Sequence, residues 1–196
     1  RTLITLYMAT FAVGGSAISG IVVGSLCAQN EFASKSILSL CDFFQTFPSF
    51  IYLIPVILLF GITDTSVMIA AIVYASVPAT RYTVEGLRSV PPSLHDAGSM
   101  SGVSKMQRWR LIDLPLALPH IMLGINQTVI FALMMIVLGA LIGTEDLGQL
   151  IMGSLSRPNG AGIGFTLGIF ISFICLAVDN LIRTWADERK KLLGIN

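Results

Sequence analysis

Residues 81–115 read RYTVEGLRSVPPSLHDAGSMSGVSKMQRWRLIDLP. This is the longest polar stretch of the chain, and it is patterned for local structure. Pro91 and Pro92 stop the preceding segment, and Pro92 suits the first turn of a new helix over Ser93, Leu94, His95, Asp96, Ala97 and Gly98. Asp96 near that N-terminus complements the helix dipole. Gly102 permits a tight turn. Lys105, Met106, Trp109, Leu111 and Ile112 then carry an amphipathic pattern, with Arg108 and Arg110 on the wet side. The spacing predicts a short helix, a glycine turn and an interfacial helix that leads into a bilayer.

On either side of this stretch the chain is strongly apolar. Charge-free windows run over residues 2–30, 43–63, 65–80, 114–144 and 158–178. A helix needs about 20 apolar residues to cross a hydrocarbon core of about 30 Å. Four windows are long enough, and the third spans if Arg81 snorkels at its end. The windows are continuous runs without the alternation of a barrel, so helices are the spanning form. We place five transmembrane helices near 2–27, 44–61, 65–81, 116–142 and 162–183, with a polar loop over 82–115, all in one domain. Gly14, Gly15, Ser16, Ser19, Gly20 and Gly24 mark the first helix for close packing. Pro48, Pro55, Pro78, Pro115 and Pro119 predict kinks or irregular entries, with Pro78 closing the third helix.

The 196 residues are 54% hydrophobic and 12% charged, with a mean hydropathy of +0.81. Soluble domains carry about 25% charged residues, so this composition argues against one. A formal charge of +1 offers no basic excess for nucleic acid. Cys27, Cys41 and Cys175 are an odd number at wide spacing in apolar surroundings, which suggests neither a disulfide framework nor a zinc site. His95 and His120 have no partners at ligand spacing, so no metal site is expected. Lys35, Arg81, Arg88, Lys105, Arg108, Arg110, Arg183, Arg189, Lys190 and Lys191 all fall on one side of the five-helix arrangement, against Arg1 and Arg157 on the other. The positive-inside rule then places loop 82–115 and the C-terminus in the cytoplasm and Arg1 outside. A start at Arg1, with an apolar stretch too long for the h-region of a signal peptide, is read as a cut or renumbered N-terminus.

The polar stretch resembles the cytoplasmic signature of the membrane subunits of ATP-binding-cassette importers: Glu-Ala-Ala, three residues, Gly, nine residues, Ile, one residue, Leu-Pro. Here Asp96, Ala97, Gly98, Gly102, Ile112, Leu114 and Pro115 keep every spacing, with Asp for Glu and Gly for the second Ala. Within that superfamily the chain is similar to the glycine betaine and proline betaine permeases. The similarity runs through residues 44–55, Leu59-Phe60-Gly61, residues 114–119, Gly124-Ile125-Asn126-Gln127-Thr128 and Leu147-Gly148-Gln149. The family more often has glycines at the positions of Glu145 and Asp146.

The resemblance implies an all-α integral membrane protein with the type I importer permease fold and a cytoplasmic coupling helix. It implies an importer of glycine betaine or a related quaternary amine or methylamine osmolyte, working by alternating access in a bacterial cytoplasmic (inner) membrane. The expected partners are a second permease copy forming a homodimer, separate ATPase subunits that hold the ATP and Mg, an external or periplasmic substrate-binding protein, and lipid. This chain itself would bind no cofactor and would hydrolyse nothing. Leu94, His95, Asp96, Ala97, Gly98 and Gly102 would couple to the ATPase, with His95 a surface residue and the small Ala97 and Gly98 seated in its groove.

Gln45, Thr46, Phe47, Phe50, Tyr52, Asn126, Gln127 and Thr128 are candidates for the translocation pathway. Aromatic faces there can receive a quaternary ammonium, although such rings also serve as packing and interfacial anchors. The polar side chains fit helix-to-helix hydrogen bonding equally well. Glu145 and Asp146 are candidate contacts for the binding protein. The competing readings are a permease for another small solute, such as an amino acid, taurine or a phosphonate, and a passive channel. A channel has no need of the structured element at 92–115. No phosphate-binding loop, His-Glu-x-x-His or Gly-x-Ser-x-Gly is present, which argues against an intramembrane enzyme.

Overall fold

The computed structural model describes residues 2–139, 153–154 and 161–192, and every regular element within them is helical. Helix α1 covers Thr2–Ala28, α2 Glu31–Thr46, α3 Phe50–Phe60, α4 Asp64–Arg88 and α5 Pro92–Met100. Helix α6, Lys105–Arg108, passes through a π-helical turn at Trp109–Asp113 into α7, Leu114–Gly139. Helix α8 is Ala161–Leu192. Among the described residues three helical stretches are long and apolar enough to cross a membrane: Leu6–Ala28, Asp64–Arg88 and Lys105–Gly139. The pair α2 and α3, bent by 89°, adds a fourth if it forms one span. Helix α8 carries the last apolar window read from the sequence.

Helix α4 lies between α1 and α7, and small residues set the separations. A Cβ on Gly20 would collide with Ala79 and with the backbone at Ser76 and Thr80. One on Gly24 would lie 2.7 Å from Thr83 Cβ and 2.9 Å from the Thr80 carbonyl oxygen. Between helices in lipid the attraction is chiefly dispersion, which requires such close approach. Ser16 Oγ, fully buried, donates to the Ala12 carbonyl of its own helix at 2.6 Å and shares that proton with the Ile72 carbonyl across this crossing at 3.2 Å. The core then closes around Met8 and Ala12 of α1, Leu53 of α3, Val67, Ala70, Ala71 and Ala75 of α4, and Ala132, Met135 and Ile136 of α7.

Three sequence expectations are revised by this packing. The third span does not end at Arg81 or Pro78. Thr83, Val84, Gly86 and Leu87 remain buried, so α4 continues to Arg88 and the polar connection starts at Ser89 instead of residue 82. The expected helix over 44–61 is divided. Residues 44–46 finish α2, and only the 11 residues of α3, about 16 Å long, come after the bend. Residues 28–43, left between the first two expected spans, are largely helix α2. Its start is fixed by Asn30, whose side chain accepts from the Phe32 N–H at 2.9 Å.

Overpacking at the α1–α4 crossing cannot be relieved by a rotamer change, because backbone stands in the way. Gly24→Val is expected to destabilise the protein by about 1–3 kcal/mol, read as a lower unfolding temperature of the detergent-solubilised full-length chain. Gly14→Ala, whose added Cβ meets nothing within 4 Å, is expected to leave that temperature in place.

Candidate functional site

The signature residues form a corner built by local hydrogen bonds. Helix α5 ends with the Val103 N–H donating to the Gly98 carbonyl at 3.2 Å, a bond that closes over Gly102 in the left-handed region at φ +71°. This is the six-to-one bond of a Schellman ending, and it requires a residue that tolerates positive φ. Two residues later Ser104 opens α6 with a reciprocal capping box. Its Oγ accepts from the Gln107 N–H at 3.3 Å, and its own N–H donates to Gln107 Oε1 at 2.9 Å. The direction of the chain between α5 and α6 is thus set within six residues.

The chain enters α7 through the π turn, closed by the Leu114 N–H on the Trp109 carbonyl. Pro115 explains the widening. It has no N–H for the Leu111 carbonyl, and its ring would crowd that oxygen in a regular α-turn.

The two faces of α5 have different surroundings. Asp96, Ala97 and Met100 are exposed and Leu94 is 38% exposed. Gly98 is buried, and a Cβ there would lie 3.2 Å from Ile112 Cδ1. Gly98 therefore faces Ile112 of this chain instead of solvent, although a Cβ there would need only a small shift of the Ile112 side chain. His95, expected at the surface, is half-buried, and its Nε2 donates to Asp113 Oδ1 at 2.9 Å. Asp113 is 9% exposed, with Arg108 Nε 3.7 Å from its other oxygen.

A second group of candidates surrounds the α2–α3 bend. Pro48 has no N–H for the Phe44 carbonyl. The Tyr52 hydroxyl donates to that oxygen at 2.6 Å, and the Phe47 N–H does so at 3.3 Å. The Tyr52 hydroxyl therefore caps a broken helix. From Tyr52 a row of rings crosses the bundle. Its centroid is 6.2 Å from Phe44 and 5.0 Å from Tyr74, which stacks on Phe131 of α7 at 5.0 Å and 18°. Phe47 packs edge-on against Phe43 at 4.7 Å, and Phe50 is exposed. Thr46 Oγ1 donates back to the Phe43 carbonyl at 2.7 Å.

Arg81, expected to snorkel at a helix end, instead joins α4 to the end of α2. It donates to Asp42 Oδ1, to Gln45 Oε1 at 3.4 Å and to Glu85 Oε1 at 2.9 Å. Neither Tyr74, Phe131 nor this ionic cluster was evident as a site in the sequence. Their signal was an aromatic residue and a charge two turns apart on one face of α4.

Asn126 through Thr128 do not join this group as a cluster, because consecutive helical residues point about 100° apart. Asn126 Oδ1 and Thr128 Oγ1 are buried without a hydrogen-bond partner among the described residues, and Gln127 is half-buried. Glu145 and Asp146 lie outside the described residues.

The corner can be tested without any substrate. Gly102→Val should strain the positive-φ turn by about 1–2 kcal/mol. Tryptic cleavage after Lys105 in the native protein should then accelerate by about tenfold. Gly102→Asn, whose side chain tolerates the left-handed region, should give a smaller increase.

Comparison with known proteins agrees with this architecture. A trimethylamine N-oxide transport system permease protein of Pelagibacter ubique is 63% identical over 195 residues, covering 100% of this chain and 27% of the relative. The permease of the same name from Ruegeria pomeroyi is 44% identical over 196 residues, covering 100% of this chain and 30% of the relative. The glycine betaine/proline betaine transport system permease protein of Escherichia coli is 33% identical over 183 residues, covering 93% of this chain and 51% of the relative. The chain thus spans between about a quarter and a half of the length of these relatives. Among solved structures, an inward-facing methionine ABC transporter superposes with a TM-score of 0.75 at 21% identity, over 95% of this chain and 91% of the other. An amino acid ABC transporter solved with histidines gives 0.71 at 17% identity, over 96% and 90%. Both show the type I importer permease fold. A family model matches residues 20–191, and the chain belongs to that family, the binding-protein-dependent transport system inner membrane components.

Proposed function

We propose that this chain is the transmembrane core of a permease subunit in an ATP-driven, binding-protein-dependent importer of a small methylated amine, with trimethylamine N-oxide the first substrate to test and glycine betaine the second. The observation that carries this reading is the 63% identity, across the whole chain, to a trimethylamine N-oxide permease. Alternating access follows from the physics of such a subunit. A partner that binds one conformation better shifts the population toward it, and two packed helix arrangements provide the states.

In this reading α5 is the coupling helix. Its exposed face carries the apolar Leu94, Ala97 and Met100 beside the acidic Asp96, a small surface suited to seating against an ATPase subunit. Gly102 sets the angle at which that face is presented. His95 and Gly98 serve from behind, because both are engaged by this chain. The ATPase holds the ATP and Mg, and this chain contributes no hydrolytic group. A second permease copy completes the pore, and an external binding protein delivers the ligand. Loop 89–104 and the C-terminus lie on the cytoplasmic side of the bacterial inner membrane, in keeping with the Lys and Arg distribution.

The row Phe44, Tyr52, Tyr74 and Phe131 is the pathway candidate with the best physical case, because ring faces attract an alkylated nitrogen cation by about 0.5–2 kcal/mol each. Gln45 is engaged by Arg81 and belongs to the ionic cluster beside it.

Radiolabelled trimethylamine N-oxide should enter proteoliposomes that hold the full-length permease, its ATPase and its binding protein only when ATP is supplied to the ATPase. Cold glycine betaine should compete more weakly. Uptake without ATP would instead identify a channel, and ATP-dependent uptake of betaine alone would move the substrate assignment.

A further inference from the structure

Asp113 occupies an unusual place. It sits between Ile112 and Leu114 where the polar segment becomes the apolar α7, and it is 9% exposed. A carboxylate in such a position needs partners to offset its lost hydration. Two groups from different elements face it. His95, in the first turns of α5, donates to Oδ1 at 2.9 Å, and Arg108, at the end of α6, holds Nε 3.7 Å from Oδ2. The latter distance is an ion pair but too long for a hydrogen bond. Arg108 Nε is itself buried and has no hydrogen-bond partner among the described residues. The carboxylate therefore has one bond made and one donor waiting beside it.

The contact also bypasses the chain. Between His95 and Asp113 the backbone turns through Gly102 and the Ser104 capping box. The side chains meet directly across 18 positions of sequence. The Gly98 backbone against Ile112 closes the same gap one turn further along α5. Asp113 is the last residue of the π turn, and α7 continues from it into the bundle, where Gly86 of α4 meets His120 and Gly124 meets Tyr82 of α4 at separations that leave no room for a Cβ.

We infer that Asp113 is the positioning residue through which displacement of α5 is transmitted to α7. His95 is the contact on α5, and Arg108, on the same continuous helix as Asp113 and 3.7 Å from its Oδ2, offsets the carboxylate's charge from behind. This rests on α5 being the element an ATPase pushes, and extends that reading to residues outside the signature pattern. The group acts through geometry and touches neither substrate nor nucleotide.

The test uses the full-length permease in complex with its ATPase in nanodiscs, comparing Asp113→Ala, His95→Ala and the double variant. Amide exchange of residues 93–100 should accelerate by about tenfold in each single variant, the scale of one lost charge-assisted hydrogen bond. The double variant should be no faster, because both substitutions remove one contact. In reconstituted vesicles, trimethylamine N-oxide imported per ATP hydrolysed should fall by a similar factor in Asp113→Ala, with the ATPase still co-purifying. His95→Gln, which keeps a donor, should recover part of that ratio, whereas a purely structural loss would lower yield and leave the ratio alone. Asp113→Asn, which keeps the acceptor for His95 and removes the charge facing Arg108, gives an intermediate ratio and serves if the alanine variant fails to assemble. Unchanged exchange in the single variants, or multiplicative effects in the double, would overturn the inference. Wild-type complex that imports no trimethylamine N-oxide while the variants still loosen α5 would leave the brace standing and remove only the substrate.

Discussion

The structure depends on how closely α4 can approach its two neighbours. In lipid a helix gains little by hiding apolar side chains, since the solvent it leaves is equally apolar. The remaining attraction is dispersion between surfaces in contact, together with the few polar bonds that bridge them. Gly20 and Gly24 bring the α1 backbone against Ala79, Thr80 and Thr83, and Gly124 brings α7 against Tyr82. Because the buried side of α4 extends past Arg81 as far as Leu87, the helix passes through that charge without stopping. That single consequence places Arg81 opposite the end of α2 and leaves only a short polar connection to α5.

The second constraint is that no backbone oxygen stays unpaired at low cost in an apolar setting. Pro55, Pro78 and Pro119 lie within α3, α4 and α7, while Pro48 and Pro115 each have a local answer. At Pro48 the Phe44 carbonyl is taken by the Tyr52 hydroxyl, so the bend carries its own clasp. At Pro115 the chain widens into a π turn and restores its bonding at a five-residue spacing. The same requirement thus yields a sharp break in one place and a continuous entry in the other. The difference lies in the direction of the next helix: α3 turns away after the break, while Leu114 and Pro115 stay in line with α7.

Much of this was legible in the sequence, and the remainder divides by cause. The apolar windows located the cores of α1, α4, α7 and α8, and the spaced signature located the α5 corner, because both are periodic or local. The capping box at Ser104 and Gln107 was equally local and could have been read from a serine with glutamine three residues later. Pro48 marked a kink but not its 89° size, whereas the continuation of α4 and the pairs Arg81–Asp42 and Asp113–His95 could not be read so directly. Each is decided by a neighbour distant in sequence, as Asp42 is for Arg81 and His95 for Asp113. A charge inside an apolar run signals a helix end when it faces water and a helix interior when a partner meets it. Hydropathy alone does not separate the two.

Gly98 shows why the corner has to be considered as a two-sided object. A small residue in an exposed helix invites the reading that a partner needs the room, yet here the Ile112 side chain lies on that side. Ala97, its neighbour, is on the open side. An element that only docked to a partner could be small on its outer face and loosely tethered behind. An element that only stabilised its own chain would bury its apolar residues inward. Helix α5 does neither: Met100 is 90% exposed, while His95 and Gly98 are fixed against the entry of α7. A push on the outer face would reach the bundle only if the inner face were stiff. The local bonds that end α5 and begin α6, together with the Asp113 contact, supply that stiffness over a distance too short for the chain to flex.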